Sequence, residues 1–141
     1  MGSRRKGRVI AFQALFAWEA GVTDKGDLLE FGWLEPERRE KLTSDILTFA
    51  TYLVSGTLES IETIDAAIQE CAQHWDFDRI AKVDLAILRI SVFSILFQPE
   101  IPFTIVINEA VEIAKRYGGD KSYKFINGVL DGIRKNKQTT S

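Results

Sequence analysis

The side chains able to do chemistry fall in two short stretches near opposite ends of the chain. The first is Arg4, Arg5, Lys6 and Arg8; the second runs from Lys115-Arg116-Tyr117 through Gly118-Gly119-Asp120 to Lys121-Ser122-Tyr123-Lys124-Phe125. The glycine pair supplies permissive backbone, the helix start after it supplies free amide groups, and lysines flank both, which together are the parts of an anion site. The Gly-Lys-Ser/Thr of a nucleotide-triphosphate loop is missing, which argues against an NTPase. Tyr117, Tyr123 and Phe125 stand among four cations. Unpaired bases stack on such rings while phosphates meet the cations, at roughly 1–3 kcal/mol per stacked base. That mixture suits single-stranded RNA, although Phe125, at helical spacing from Val129, also fits a core position.

Charge placement points the same way. The whole chain carries a formal charge of only -2, which by itself disfavours a polyanion partner. Residues 1–8, however, hold four cations and no anion, and residues 113–141 hold seven cations against Asp120 and Asp131, so residues 9–112 carry -11. If the two ends meet in the fold, they form one basic patch on an acidic body; if they do not, they are solvated tails. Cations at a helix start also oppose the helix dipole at a cost of a few tenths of a kcal/mol or more, which a bound polyanion compensates.

Most other chemistries are excluded. One cysteine and one histidine leave no intramolecular disulfide, zinc cluster or Cys-x-x-Cys pair. Cys71, patterned with Ile68 and Ala72, reads as a buried structural thiol, and His74 as a packing or surface residue. Glu109 and Glu112 read as part of an exposed face salt-bridged with Lys115 and Lys124 rather than a catalytic dyad, which needs a cleft and a perturbed pKa. Asn108, between Val106 and Ala110, is expected to be buried and to tie helix ends together. No catalytic residue, metal site or cofactor is expected.

These stretches must be positioned by helices. With 141 residues, 45% apolar and 27% charged, the chain is expected to form a single domain, 1–141, with a real core. Val9, Phe12, Leu15 and Phe16 predict a helix over 4–20, ended by Gly21. Residues 21–34 read as a loop. Pro36 opens a second helix that continues past Gly56, with a break near Thr63 or Asp65. After a turn at Trp75, with Asp78 as a possible cap, 83–97 is apolar almost all round and predicts the central buried helix. Its apolar stretch, 85–97, is too short to span a bilayer. Pro99 and Pro102 stop it, and two amphipathic helices follow, divided by Gly118-Gly119. The fold class is therefore all-α, a compact bundle of about six or seven helices. Because no secretory signal is legible, the cytoplasm is the expected location.

The sequence resembles the NusB family of bacterial transcription antitermination factors. The resemblance rests on Arg4-Arg5-Lys6-Gly7-Arg8 followed by Ala11-Phe12-Gln13-Ala14-Leu15-Phe16-Ala17-Trp18, on Ile64-Asp65, Trp75, Val83-Asp84 and Ile87-Leu88-Arg89 in that order, and on Pro102, Val106 to Lys115 and Lys124 to Asp131. It implies two packed helical subdomains and a non-enzymatic adaptor. Family members bind the boxA element of rRNA operon leaders together with the small-subunit ribosomal protein NusE, and help RNA polymerase read through terminators. Carried over by position, RNA contacts fall on Arg4, Arg5, Lys6, Arg8, Gln13, Phe16, Tyr117, Lys121, Ser122, Lys124 and Phe125, and protein-partner contacts on Val83, Asp84, Arg89 and Phe93. Phe16 stands where many members have tyrosine, Gly7 is expected to let the basic helix start fray until RNA binds, and the charge around Lys121 suggests tighter RNA binding without the partner. Two other readings stay open: a protein-interaction module, monomer or homodimer, with an incidental basic patch, or a stand-alone relative of the RNA-binding domain of rRNA cytosine methyltransferases.

Overall fold

The computed structural model describes residues 2–21 and 24–140, and among these it contains helices and turns but no strand. Eight α-helices form, with one 3-10 turn at Phe77–Arg79. They are α1 (Ser3–Glu19), α2 (Lys25–Leu29), α3 (Pro36–Glu40), α4 (Ser44–Glu59), α5 (Ile61–Cys71), α6 (Lys82–Phe97), α7 (Phe103–Tyr117) and α8 (Ser122–Thr140). No helix among the described residues is long and apolar enough to cross a membrane.

As its all-round apolar pattern requires, α6 is buried along almost its whole length. It packs against α1, α4, α5, α7 and α8, so one continuous core joins α1–α4 to α5–α8. Leu85, Ile87, Leu88 and Ile95 have essentially no exposure, and each such side chain contributes about 1.5–3 kcal/mol on burial.

The helix count exceeds the expected six or seven because short polar residues punctuate what looked continuous. The stripe after Pro36 is two helices: Thr43 interrupts it, its Oγ1 accepting from the Ile46 amide at 3.3 Å to start α4. The next break is at Ser60, earlier than Thr63 or Asp65. The loop expected over 21–34 contains α2, opened by Asp24, whose carboxylate accepts from the Asp27 amide at 3.0 Å. Phe31 then turns the chain with φ 60°, and with Leu34 it covers Ile10 and Ala50 in a small second core. Asp76, not Asp78, caps the turn before α6, accepting from the Asp78 amide.

Two glycines set how closely α4 approaches its neighbours. A Cβ on Gly7 would lie 2.4 Å from Phe49 Cδ2, and one on Gly56 would lie 2.3 Å from Phe93 Cζ. Gly7 is thus buried in the α1–α4 contact, and α1 is helical from Ser3 onwards. Gly56→Val forces the Phe93 ring aside. We expect it to destabilise the fold by about 1–3 kcal/mol, the usual cost of overpacking, seen as a lower urea midpoint and partly restored by adding Phe93→Leu.

Candidate nucleic-acid interface

The start of α1 lies across the middle of α7. Arg5 donates to Glu109 through Nε at 2.7 Å and through Nη2 at 3.0 Å, a bidentate pair. That bond holds the Glu109 carboxyl below its ordinary range and the Arg5 guanidinium above its own. Beside the pair, Arg5, Glu112, Lys115, Arg116 and Tyr117 line a cleft of about 230 Å³. Tyr117 is half-buried and anchored on Phe12, ring centroids 5.3 Å apart. Across the α7–α8 junction, the ammonium groups of Lys115 and Lys124 lie 5.2 Å and 5.9 Å from the Tyr123 ring. The result is a band of cations and aromatic faces running from half-buried Arg5 and Tyr117 through exposed Lys115 to exposed Lys124.

The turn that carries Lys121 is built from below. Ser122 is buried, and its Oγ accepts from the Gly119 amide at 2.9 Å. Behind it, burial pushes the Asp84 carboxyl up, an effect that the neighbouring Ser122 hydroxyl offsets only in part. Ser122 therefore shapes the turn from inside the fold, while Lys121 and Lys124 are exposed. Phe125 is half-buried and meets Trp75 edge-on at 4.9 Å.

Other cations go elsewhere. Arg4 and Arg8 turn towards α4, their guanidinium carbons 4.4 Å and 5.5 Å from the Phe49 ring, and burial pulls the Arg8 guanidinium below its ordinary value. Lys6 and Phe16 are exposed, and Gln13 accepts from Arg38 of α3. At the other end of α8, Arg134 and Lys135 meet Asp131 at 2.8 Å and 3.1 Å, while Lys137 reaches the Ile95 carbonyl and the Phe103 ring. Phe103 begins α7 and Lys115 nears its end, so Lys137 is most of a helix length from the band. The two basic ends thus converge through Arg5 and 115–124 only.

The four residues expected to meet a protein partner lie on α6, mostly inside. Val83 is half-buried, whereas Asp84, Arg89 and Phe93 are buried. Arg89 donates to both Asp65 oxygens at 2.9 Å and 3.0 Å and to Glu19 at 3.0 Å. Lys82 adds a 3.3 Å contact to Glu19. Burial alone would raise the Glu19 carboxyl, but Arg89 and Lys82 more than reverse this and leave it lowered. Phe93 packs between Tyr52 and Phe97.

Several readings change. Asn108 is exposed, and Cys71 is half-buried, its Sγ accepting from Asn136 at 3.4 Å. Glu109 is the clamp on Arg5, while Glu112 pairs with Lys115 at 3.6 Å as expected. Phe49, Glu109, Arg38 and Trp75 all shape the region yet were not expected to. Glu109 and Arg5 are 104 positions apart, and no local pattern links them.

Comparison with known proteins agrees with this architecture. The NusB family model matches residues 5–135. The transcription antitermination protein NusB of Treponema pallidum is 48% identical over 132 residues, covering 94% of this chain and 92% of the relative. The structure of T. maritima NusB superposes with a TM-score of 0.81 at 33% identity, covering 98% and 97% of the two chains. A structure of NusB and NusE in complex with double-stranded RNA gives 0.82 at 29% identity, covering 96% and 98%. With helices, core and sequence in agreement over nearly its full length, this chain belongs to the NusB family, whose relatives are named transcription antitermination proteins.

Proposed function

We propose that the protein binds boxA-type single-stranded RNA of rRNA operon leaders together with the ribosomal protein NusE, as a non-enzymatic adaptor to RNA polymerase. The observation that carries this is the band in which Arg5 and Lys115 line one cleft with Tyr117 and Lys115 and Lys124 flank the Tyr123 ring, with Lys121 exposed in the adjoining turn. Phosphates meet the cations and bases meet the rings. Glu109 removes part of the Arg5 charge but fixes its guanidinium, so Arg5 meets RNA already oriented and loses little entropy on binding. Arg4, Lys6 and Arg8 extend the positive field over the start of α1, with Gln13 and Phe16 further along that helix. Ser122 acts by shaping the turn, and Phe125 by supporting its outer face.

NusE accompanies a solved NusB neighbour together with RNA. Here the protein partner meets the surface around Val83 and Lys82. Asp84, Arg89 and Phe93 stand behind that surface, Arg89 by holding Glu19 and Asp65 in place.

The test is a titration of a boxA oligonucleotide against a scrambled one of equal length, single- and double-stranded, at two salt concentrations, with and without NusE. We expect tighter binding of single-stranded boxA and a slope of about -0.7 per phosphate contacted. Equal binding of the scrambled strand reduces the interface to generic electrostatics, and preference for the duplex overturns the single-strand reading.

A further inference from the structure

Among the described residues, Trp75 is the most exposed of the large hydrophobic side chains, at 60%. It lies outside the cationic band yet is joined to it, because its ring meets Phe125 at 4.9 Å and an interplanar angle of 63°. Tyr123, Lys124 and Phe125 are successive helical residues, about 100° apart around α8. Lys124, the exposed member, therefore forms a ridge with Tyr123 on one side and the Phe125–Trp75 pair on the other. The backbone that carries the indole is also fixed: the Trp75 amide donates to the Ala72 carbonyl at 2.9 Å, and Asp76 caps the turn that follows.

We infer that Trp75 is a base-stacking platform that takes one unpaired base of a single-stranded RNA crossing the Lys124 ridge. This extends the RNA-binding reading given above and rests on it. A large ring left open to solvent on a fixed backbone costs little to order when a base stacks on it, and stacking is tolerant of base identity. Asp76 directly after Trp75 and Asp78 two positions further on repel phosphate, so the contact is to the base and not to the backbone.

The test compares wild type with Trp75→Ala, Trp75→Leu and Trp75→Phe, all checked for helicity, in titrations of a boxA oligonucleotide with flanking nucleotides at several salt concentrations. Leucine keeps an apolar cover on Phe125 but has no π face, so it should lose affinity as alanine does. We expect both to bind about 5- to 150-fold more weakly, the range that base–aromatic stacking gives, with the salt slope unchanged. Trp75→Phe should retain most of the affinity. Because Trp18 and Trp33 are half-buried, most of the RNA-induced quenching of tryptophan emission should vanish in all three variants. Wild-type affinity in Trp75→Leu, or a flattened salt slope, overturns the platform while leaving the RNA reading intact. Failure of the wild type to bind the oligonucleotide overturns both.

Discussion

Arg89→Ala should lower the unfolding free energy by about 3–5 kcal/mol, the usual cost of removing one member of a buried ion pair. The guanidinium has 5% exposure and ties Asp65 of α5 to Glu19 of α1. The rings of Trp18 and Phe77 lie 5.4 Å and 6.0 Å away. Without it, the Glu19 and Asp65 carboxylates lose the guanidinium they share, and Glu19 keeps its 3.3 Å contact with Lys82. Arg89→Lys should recover little, since an ammonium cannot reproduce the forked bond to Asp65. The pH dependence follows from Glu19, whose carboxyl is lowered in the folded protein. Its stabilisation is present above the unfolded carboxylate value, about 4.3, and disappears as pH falls through the lower folded value. The stability gap between wild type and Arg89→Ala should therefore narrow on acidification. Urea melts across the acid range measure it; a gap that widens as pH falls contradicts the ion-pair account.

Lys115→Ala, Lys121→Ala and Lys124→Ala combined should reduce boxA affinity by roughly 100-fold near 0.1 M salt, because three lost phosphate contacts at about 0.7 each flatten the logarithmic salt slope by about 2. At about 1 M salt the same variant and wild type should bind nearly alike. The three lysines are exposed and none helps build the core, so thermal stability should scarcely change. By contrast, Lys135→Ala, on the distant part of α8 and paired with Asp131, should leave the slope untouched. A uniform loss at every salt concentration would mean that the lysines position the rings and do not meet phosphate.

What was legible in the sequence was whatever depends on period or composition. The all-round apolar run of α6, the amphipathic stripes of α1, α7 and α8 and the glycine pair after Tyr117 all specify local structure that the fold keeps. Helix ends were less legible, because Thr43 and Ser60 end or restart helices through backbone geometry and single hydrogen bonds that leave the apolar stripe unbroken. Within the interface, the lysines near α8 followed from charge. The division of the N-terminal arginines did not: Arg4 and Arg5 are adjacent residues pointing about 100° apart on a helix, so one reaches Phe49 and the other Glu109. Nor could burial of Asp84, Arg89 and Phe93 be read from a helix apolar on every side, where no face marks the outside.

One structural feature reaches beyond its neighbourhood. α1 carries Arg5 near its first turn and Glu19 at its last, and Gly7 seats it against α4 with no slack. A ligand grasped at one end of this rod is thus mechanically coupled to the Arg89 lock at the other. Nucleic acid should then slow amide exchange in α1 beyond the residues it touches, out towards Trp18.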